Sequence, residues 1–239
     1  MKIGFIGAGN MGGALAKAVS KSVPSCSLYI SDRNDDKIKA LLKDIKFTVS
    51  DNEEIAEECD LIFFGVKPYA LSSMIDSIKY ILEHRKSSFT IVSMAAGVTV
   101  EKLEKYLGFP CSIIRIMPNT PVSIGEGIVL WSANEHADEA AKQQFCQALS
   151  AAGILDELDE HLIDAGCALS GCGPAFVYMF ISALADGAVE CGLPRNKALE
   201  YAAQTLVGSA RLALESGAFR ACVMNAVNAA FDRTRELGK

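Results

Sequence analysis

The chain has 239 residues, enough for two modest domains, and half of them are hydrophobic, which excludes a disordered protein. The 23 lysines and arginines against 29 aspartates and glutamates give a net charge of −6, and no basic run marks a nucleic-acid partner. The eight cysteines include no C-x-x-C pair, so we expect a reducing, cytoplasmic setting. Met1–Ile6 is too short and too interrupted by glycine to predict a signal peptide.

The first twenty residues predict a strand, a glycine-rich loop and a helix. Lys2–Ile6 has the pattern of a buried strand, and Ala14–Val19 has that of the following helix. The loop between them fits G-x-G-x-x-G and consists of Gly7, Ala8, Gly9, Asn10, Met11 and Gly12. Glycines also suit a purely structural turn, but the strand before the loop and the helix after it favour a dinucleotide site. The pyrophosphate would lie at the positive end of the helix.

The end of the second predicted strand, Ser27–Ser31, leaves the choice of cofactor open. Asp32 lies where an acidic residue binds the ribose hydroxyls of NAD. Arg33 beside it suits the 2′-phosphate of NADP, because a guanidinium pairs with phosphate through several donors. Asp32 or Asn34 also fits a third role, as the N-cap of a helix predicted at Asp35–Lys43.

Strand and helix patterns alternate up to about residue 158, which predicts a doubly wound sheet with ligands at the carboxyl ends of its strands. Further strands are predicted at Lys46–Val49, Asp60–Val66, Phe89–Ser93, Ser112–Met117, Gly125–Trp131 and Ile154–Asp156, and further helices at Tyr69–Glu83 and His136–Ala151. Lys67, Gly97 and Asn119 each follow one of these strands, so we expect them to meet at one edge of the sheet.

After residue 158 only helical patterns occur. Ala165–Ala185 carries no charge and is long enough to span a membrane, but its glycines and its proline favour a kinked, tightly packed soluble helix. Two more helices are predicted at Lys197–Glu215 and Phe219–Leu237. A helix that is apolar on every face must be covered on every face, so we expect a second subunit as its partner and no membrane.

The sequence contains no obvious catalytic acid, nucleophile or metal site. Its three histidines, His84, His136 and His161, have charged neighbours and no metal-ligand spacing to a cysteine. Lys67 follows a strand, a position where lysine binds phosphate or ribose more often than it catalyses a reaction. The chemistry is therefore expected to come from a bound redox cofactor.

Several segments, taken in order, form a specific set. They are Ile3–Gly12, Val66–Pro68, Ala95–Gly97, Met117–Pro121, Leu169–Ala175, Ala185–Gly187 and Gly192–Arg195. This set resembles the pyrroline-5-carboxylate reductase family over nearly the whole chain. Members of that family reduce a cyclic imine to L-proline with NADPH or NADH, and their helical half forms a dimer. Together with the change of pattern, the resemblance implies an α/β chain with a Rossmann-type dinucleotide-binding domain over residues 1–158. An all-helical dimerisation and substrate domain over 159–239 would form a homodimer, with a higher assembly of dimers left open.

The resemblance also implies roles in cofactor binding. Gly7 to Gly12 would hold the pyrophosphate. Arg33 and Asn34 would lie at the adenosine phosphate, and Asn52 would lie near the adenine ribose. The nicotinamide side would be lined by Val66, Lys67, Pro68, Ala95, Ala96 and Gly97.

Two residues are candidates for contact with the small-molecule substrate. Glu160 matches a family position near the substrate, and Asn119 follows a predicted strand. A protonated imine carbon is already electrophilic, so well-positioned hydride transfer fits a site without an evident acid.

The sequence departs from the family pattern after Gly217. Family members carry another helix there, opened by a Ser/Thr-rich turn with two glycines that holds the substrate carboxylate. This chain runs from Gly217 directly into the matching segment Ala218–Arg220. The departure motivates an alternative hypothesis, a dinucleotide-binding protein with impaired or no reductase activity. A third hypothesis, a hydroxy-acid dehydrogenase, is disfavoured because no general base is evident.

Overall fold

The computed structural model describes residues 1–216 of the chain. Its strands are β1 (Ile3–Ile6), β2 (Leu28–Ser31), β3 (Thr48–Val49), β4 (Leu61–Phe64), β5 (Thr90–Ser93), β6 (Ser112–Pro118), β7 (Gly127–Ala133) and β8 (Gly153–Glu157). Its α-helices are α1 (Asn10–Val19), α2 (Asp35–Leu42), α3 (Asn52–Glu58), α4 (Pro68–His84), α5 (Val100–Leu107), α6 (Glu139–Ala148), α7 (Glu160–Ser170), α8 (Gly173–Glu190) and α9 (Arg195–Ser216). Short 3₁₀ turns lie at Ser25–Ser27 and Thr120–Ile124.

The strands form one sheet in the order β3-β2-β1-β4-β5-β6-β7-β8. Neighbouring strands are parallel except β6 and β7, which are antiparallel. The chain passes from β6 to β7 through the 3₁₀ turn Thr120–Ile124, and so short a connection can only reverse the direction of the chain. The predicted doubly wound arrangement is thus confirmed for β1 to β6, and β7 departs from it.

Alternate residues of the central strands pack into two apolar clusters, one on each face of the sheet. In β1 and β4, Phe5 and Phe63 belong to the first cluster, and their rings stack with centroids 4.3 Å apart. Ile6 and Phe64, the next residues along, belong to the second cluster. Helix α1 covers the first face and helix α4 the second, so the sheet is buried on both sides.

The turn from β1 to α1 packs glycine against glycine. A Cβ at Gly12 would lie 2.2 Å from the carbonyl oxygen of Gly7, and a Cβ at Gly65 would lie 2.5 Å from the same oxygen. Gly7 itself has a φ of 108°, which residues with a side chain rarely adopt. This close packing lets α1 begin at Asn10, inside the glycine motif and well before the predicted start of the helix at Ala14.

The described chain divides into two compact units, Met1–Pro174 and the residues from Ala175 onward. The predicted boundary between residues 158 and 159 stays a prediction and marks the place where the strands end. Helix α7 nevertheless belongs to the first unit, because Ile163 packs with Met117 and Leu130 of the sheet. In the second unit, α8 and α9 pack through a small cluster formed by Ala185, Ala198 and Ala202.

Within residues 1–216, one stretch, Glu160–Glu190, is long and apolar enough by length and composition to cross a membrane, with a mean hydropathy of 1.6 over an 18-residue window. The chain turns at Gly171 and Cys172 and divides this stretch into α7 and α8, which confirms the predicted kink. The helix predicted at Phe219–Leu237 and the discontinuity after Gly217 lie outside the described residues.

Gly12→Ala should destabilise the fold, because the new Cβ would meet the backbone oxygen of Gly7 at 2.2 Å. We expect the free energy of unfolding to fall by about 1–3 kcal/mol, as at other overpacked sites. Gly13→Ala is the matched control, since its Cβ would meet nothing closer than 3.8 Å and alanine favours a helix. Urea denaturation measures both variants, and an equal loss of stability in the two would contradict this role of Gly12.

Candidate functional site

A cleft of about 340 Å³ opens at the carboxyl ends of β1, β2 and β4. Its lining includes six residues predicted to bind the cofactor, namely Gly7, Gly9, Arg33, Asn52, Val66 and Lys67. The sheet order reverses between β1 and β4, and ligands of such sheets bind at this reversal. The structure therefore brings residues that are distant in sequence together in one cleft.

The glycine loop leaves this cleft open to a phosphate group. The N-cap of α1 is Gly9, which has no side chain to cover the first-turn amides of the helix. A Cβ at Gly9 would meet no protein atom within 4 Å, so the loop has free space in front of it. These amides carry the positive end of the helix dipole, and the arrangement fits a pyrophosphate. Ala8 and Asn10 line a neighbouring cleft on the other side of the loop, while Met11 is half-buried in α1.

The carboxylate of Asp32 is engaged by the protein's own backbone. It accepts hydrogen bonds from the amides of Ala8 at 2.8 Å and Asn34 at 2.9 Å, and Nζ of Lys37 lies 3.3 Å away. Burial alone would raise the pKa of Asp32, but the two amides and the Lys37 ammonium lower it below its ordinary value. Asp32 is therefore ionised and ties the glycine loop to the end of β2.

Two basic side chains line the cleft beside Asp32. Arg33 is exposed, and Lys37 lies in the first two turns of α2. Sequence reasoning missed Lys37, although its place at the start of the helix after Arg33 was an available signal. The side-chain oxygen of Asn34 accepts from the amide of Asp36 at 2.9 Å, which confirms Asn34 as the N-cap of α2.

Asn52, the first residue of α3, also lines the cleft. Its Oδ1 accepts a hydrogen bond from the hydroxyl of Ser31 at 2.7 Å, so β2 fixes the side chain in the cleft wall. Lys67 is the N-cap of α4, and Pro68 is the first residue of that helix. The following residue, Tyr69, is 87 % exposed and also lines the cleft.

The predicted nicotinamide residues after β5 lie at the next strand end along the sheet. Ala95 is buried, whereas Ala96 and Gly97 are exposed in a turn. Gly97 has a φ of 72°, and a Cβ there would meet no atom within 4 Å. Because β5 pairs with β4, this turn extends the edge on which Val66 and Lys67 lie. Its contact with a cofactor stays a prediction.

The side-chain amide of Asn119 makes two hydrogen bonds to the protein backbone, one as donor and one as acceptor. Its Nδ2 donates to the carbonyl oxygen of Ser170 at 3.0 Å, and its Oδ1 accepts from the amide of Ile128 at 2.9 Å. The side chain therefore joins the end of β6 to β7 and to the last residue of α7. A contact between Asn119 and substrate stays a prediction.

The second candidate for substrate binding, Glu160, contacts an arginine that sequence reasoning missed. Arg115 lies in β6 and is only 2 % exposed. Its Nη1 donates to Glu160 at 3.1 Å, and its Nη2 donates to Asp164 at 2.6 Å. The same oxygen of Glu160 accepts from the amide of Val100 at 2.7 Å. The sequence signal that could have identified Arg115 is that it is the single charged residue inside an apolar strand.

Models of known protein families match a segment in each part of the chain. A model of the pyrroline-5-carboxylate reductase dimerisation family matches residues 160–216, and one described as NADP oxidoreductase, coenzyme F420-dependent, matches residues 2–97. Pyrroline-5-carboxylate reductase 3 of Danio rerio is 37% identical, over 100% of this chain and 92% of its own length. Pyrroline-5-carboxylate reductase of Pisum sativum is 34% identical, over 98% and 95% of the two chains.

Solved structures of pyrroline-5-carboxylate reductases are similar in fold to this chain. Plasmodium falciparum pyrroline carboxylate reductase, solved with NADP bound, has a TM-score of 0.77 at 30% identity and covers 100% of this chain and 98% of its own. The 1-pyrroline-5-carboxylate reductase of Streptococcus pyogenes has a TM-score of 0.84 at 28% identity, with coverages of 100% and 92%.

The comparisons also bear on the predicted departure after Gly217. The alignment with the Danio rerio protein runs over 267 positions, whereas this chain has 239 residues, so that relative has residues that this chain lacks. The dimerisation match ends at residue 216, next to the predicted discontinuity. Identity above 30% over essentially the full length of both chains shows the family: this chain belongs to the pyrroline-5-carboxylate reductases.

Proposed function

We propose that the chain reduces 1-pyrroline-5-carboxylate to L-proline with a hydride from NADPH or NADH, the last step of proline biosynthesis. The observation that carries this function is the full-length identity to proteins named pyrroline-5-carboxylate reductase. The dinucleotide cleft at the strand-order reversal is in agreement with it. The comparisons give no support to the alternative of a dinucleotide-binding protein without reductase activity.

The residues present fit a dinucleotide. The first-turn amides of α1 would bind the pyrophosphate across the open side of Gly9, and Asn52 would approach the adenine ribose. When bound, the cofactor supplies the hydride. The protein holds the cofactor and the substrate in the relative orientation that hydride transfer requires. The proton needed by the product nitrogen is already present on a protonated imine, so the site has no need of a general acid to donate it.

The preferred cofactor is NADP(H), with NAD(H) as a second possibility. Asp32, the residue that would bind the ribose hydroxyls of NAD, is engaged by the amides of Ala8 and Asn34. Arg33 and Lys37 give the same corner of the cleft a positive charge that suits a 2′-phosphate. The Plasmodium falciparum relative was solved with NADP bound, which supports this choice.

The chain also forms a homodimer through its helical part. The residues of α8 expose large apolar side chains: Phe176, Tyr178 and Met179 are 63%, 61% and 71% exposed. The matched dimerisation family covers this helix, so a second copy of the chain is the expected cover. Whether dimers assemble further stays a prediction.

A cytoplasmic location completes the proposal. The seven cysteines within residues 1–216 are free thiols. Burial raises the pKa of Cys59 and Cys111 to about 12, which keeps these two thiols protonated and unreactive. Free cysteines of this kind are typical of a reducing compartment.

The purified chain should oxidise NADPH when 1-pyrroline-5-carboxylate is added. The resemblance assigns the substrate carboxylate to a segment that this chain lacks, so the assay must span a wide range of substrate concentration. Weak substrate binding then appears as a high KM rather than as missing chemistry. An intact mass of 25.5 kDa verifies the assayed chain. Tight NADPH binding without turnover at any substrate concentration would contradict the proposed function.

Arg33→Ala should weaken NADPH far more than NADH, because only NADPH presents a phosphate to the guanidinium. We expect a loss of about 1–3 kcal/mol in NADPH binding, as for a charge-assisted hydrogen bond. Lys39→Ala is the matched control, since Lys39 is an exposed cation on α2 outside the lining of the cleft. Fluorescence titration with both cofactors measures the affinities. Equal losses for NADPH and NADH would remove Arg33 from the phosphate site.

Light scattering of the full chain at micromolar concentration should give the mass of a dimer. Met179→Glu should shift the mass towards the monomer, because the charge would enter the apolar surface of α8. Tyr80→Glu is the matched control: Tyr80 is 73% exposed on α4, close to the 71% of Met179. A soluble wild-type monomer, or equal behaviour of the two variants, would contradict a dimer formed through α8.

A further inference from the structure

The buried guanidinium of Arg115 is a costly feature of the sheet. Its side chain is 2% exposed, and within residues 1–216 its Nε is the one buried side-chain nitrogen or oxygen without a hydrogen-bond partner. A buried charge pair is often less stabilising than apolar side chains of similar volume, and an unpaired donor adds to the cost. The contribution of Arg115 to stability is therefore a poor explanation for its presence, and its geometry is a better one.

The two Nη atoms of Arg115 hold two carboxylates of α7. Nη2 binds Asp164 at 2.6 Å, and Nη1 binds Oε1 of Glu160 at 3.1 Å. These partners lie one helical turn apart on the same face of α7, so the planar guanidinium fixes both the position and the rotation of the helix. Within residues 1–216, one of the two carboxylates also accepts a hydrogen bond from the backbone of another helix.

That carboxylate is Glu160, which also holds the start of α5. Its Oε1 accepts the amide hydrogen of Val100, the first residue of α5, at 2.7 Å. The N-cap of α5, Thr99, binds a different amide, that of Lys102. A carboxylate at the positive end of a helix is well placed, and here Arg115 sets its position.

Both ends of the loop between β5 and α5 are thus connected to Arg115, one directly and one through Glu160. At the strand end, Ser93, the last residue of β5, is the register partner of Arg115 in the sheet. At the helix end, the chain of contacts runs from Arg115 through Glu160 to the amide of Val100. Between these two points lie Ala95, Ala96 and Gly97, the residues expected at the nicotinamide.

We propose that Arg115 is a positioning residue that acts through Glu160 to fix the β5–α5 loop where the nicotinamide end of the cofactor reacts. The inference rests on the proposed function for its catalytic consequence. The residues expected to bind the pyrophosphate and the adenosine belong to the loop after β1, the end of β2 and the start of α3, and the lining of the dinucleotide cleft includes no residue of the β5–α5 loop. Loss of Arg115 therefore changes the geometry of hydride transfer while the affinity for the cofactor is retained.

Arg115→Met in the full chain removes both Nη contacts, and Asp164→Asn is the matched control. Asparagine keeps an oxygen acceptor for Nη2 and leaves the contact from Arg115 through Glu160 to Val100 intact. The first readout is amide hydrogen exchange over residues 94–100 with and without NADPH. The second is kcat at saturating NADPH and substrate, together with the Kd of NADPH from fluorescence.

We expect R115M to speed exchange at the Val100 amide and to lower kcat by about tenfold or more, since small errors in position are costly for a reaction that depends on orientation. The Kd of NADPH should stay within about twofold. D164N should stay within about twofold in every readout, because Asp164 is 73% exposed and asparagine keeps an oxygen acceptor for Nη2. Unchanged Val100 exchange in R115M would overturn the proposal. Equal changes in R115M and D164N would show only that Arg115 holds α7 on the sheet, and would overturn it as well.

R115K makes the same comparison if R115M fails to fold. A lysine ammonium lacks the planar fork needed to bind both carboxylates, so the exchange of Val100 should rise above that of D164N, and an exchange rate equal to that of D164N would overturn the proposal. Wild-type turnover of 1-pyrroline-5-carboxylate tests the proposed function separately. The exchange comparison needs no turnover, so failure of one is distinguishable from failure of the other.

Discussion

The carbonyl oxygen of Gly7 occupies the space that a side chain at Gly12 or Gly65 would need. This contact brings the start of α1 against the end of β4, so two strand ends and one helix end meet at the edge of a single cleft. Asp32 fixes the outer side of the same loop through the amide of Ala8. The phosphate-facing amides are therefore placed by backbone packing together with the Asp32 carboxylate.

The hydrophobic pattern predicts the central sheet well, because its strands are buried on both faces and read as apolar runs. It gives no helix at α5, a short element whose position is set by its caps. Thr99 caps its start, and Gly108, with a φ of 75°, ends it. The reversal of β7 is also absent from the pattern, because direction depends on the length of the connection from β6 rather than on the composition of the strand.

The candidate site could be predicted for residues that face the cleft with backbone or small side chains, such as Gly9 and Val66. It could not be predicted for side chains whose partners are distant in sequence. Asp32 fits a ribose-binding position by spacing alone, yet its acceptor capacity is directed at two backbone amides. Glu160 fits a substrate position by resemblance, yet it holds Arg115 and the start of α5. A sequence gives the type of a polar group, whereas its role depends on which donors the fold brings to it.

Hydride transfer to an imine explains why a site of this kind has so little catalytic apparatus. The cofactor brings the reducing equivalent and the protonated substrate brings the electrophile, so the rate depends on how closely the two are aligned. The alignment of cofactor and substrate depends on where the backbone of the loops that bind them lies. In this chain, packing contacts fix that backbone at two places along the carboxyl edge of the sheet. Gly7 and Gly65 define one end, and Arg115 with Glu160 defines the other. Contacts that fix the backbone, at Gly7 and Gly65 in the lining of the cleft and at Arg115 and Glu160 outside that lining, therefore matter for the reaction together with the side chains that face the ligand.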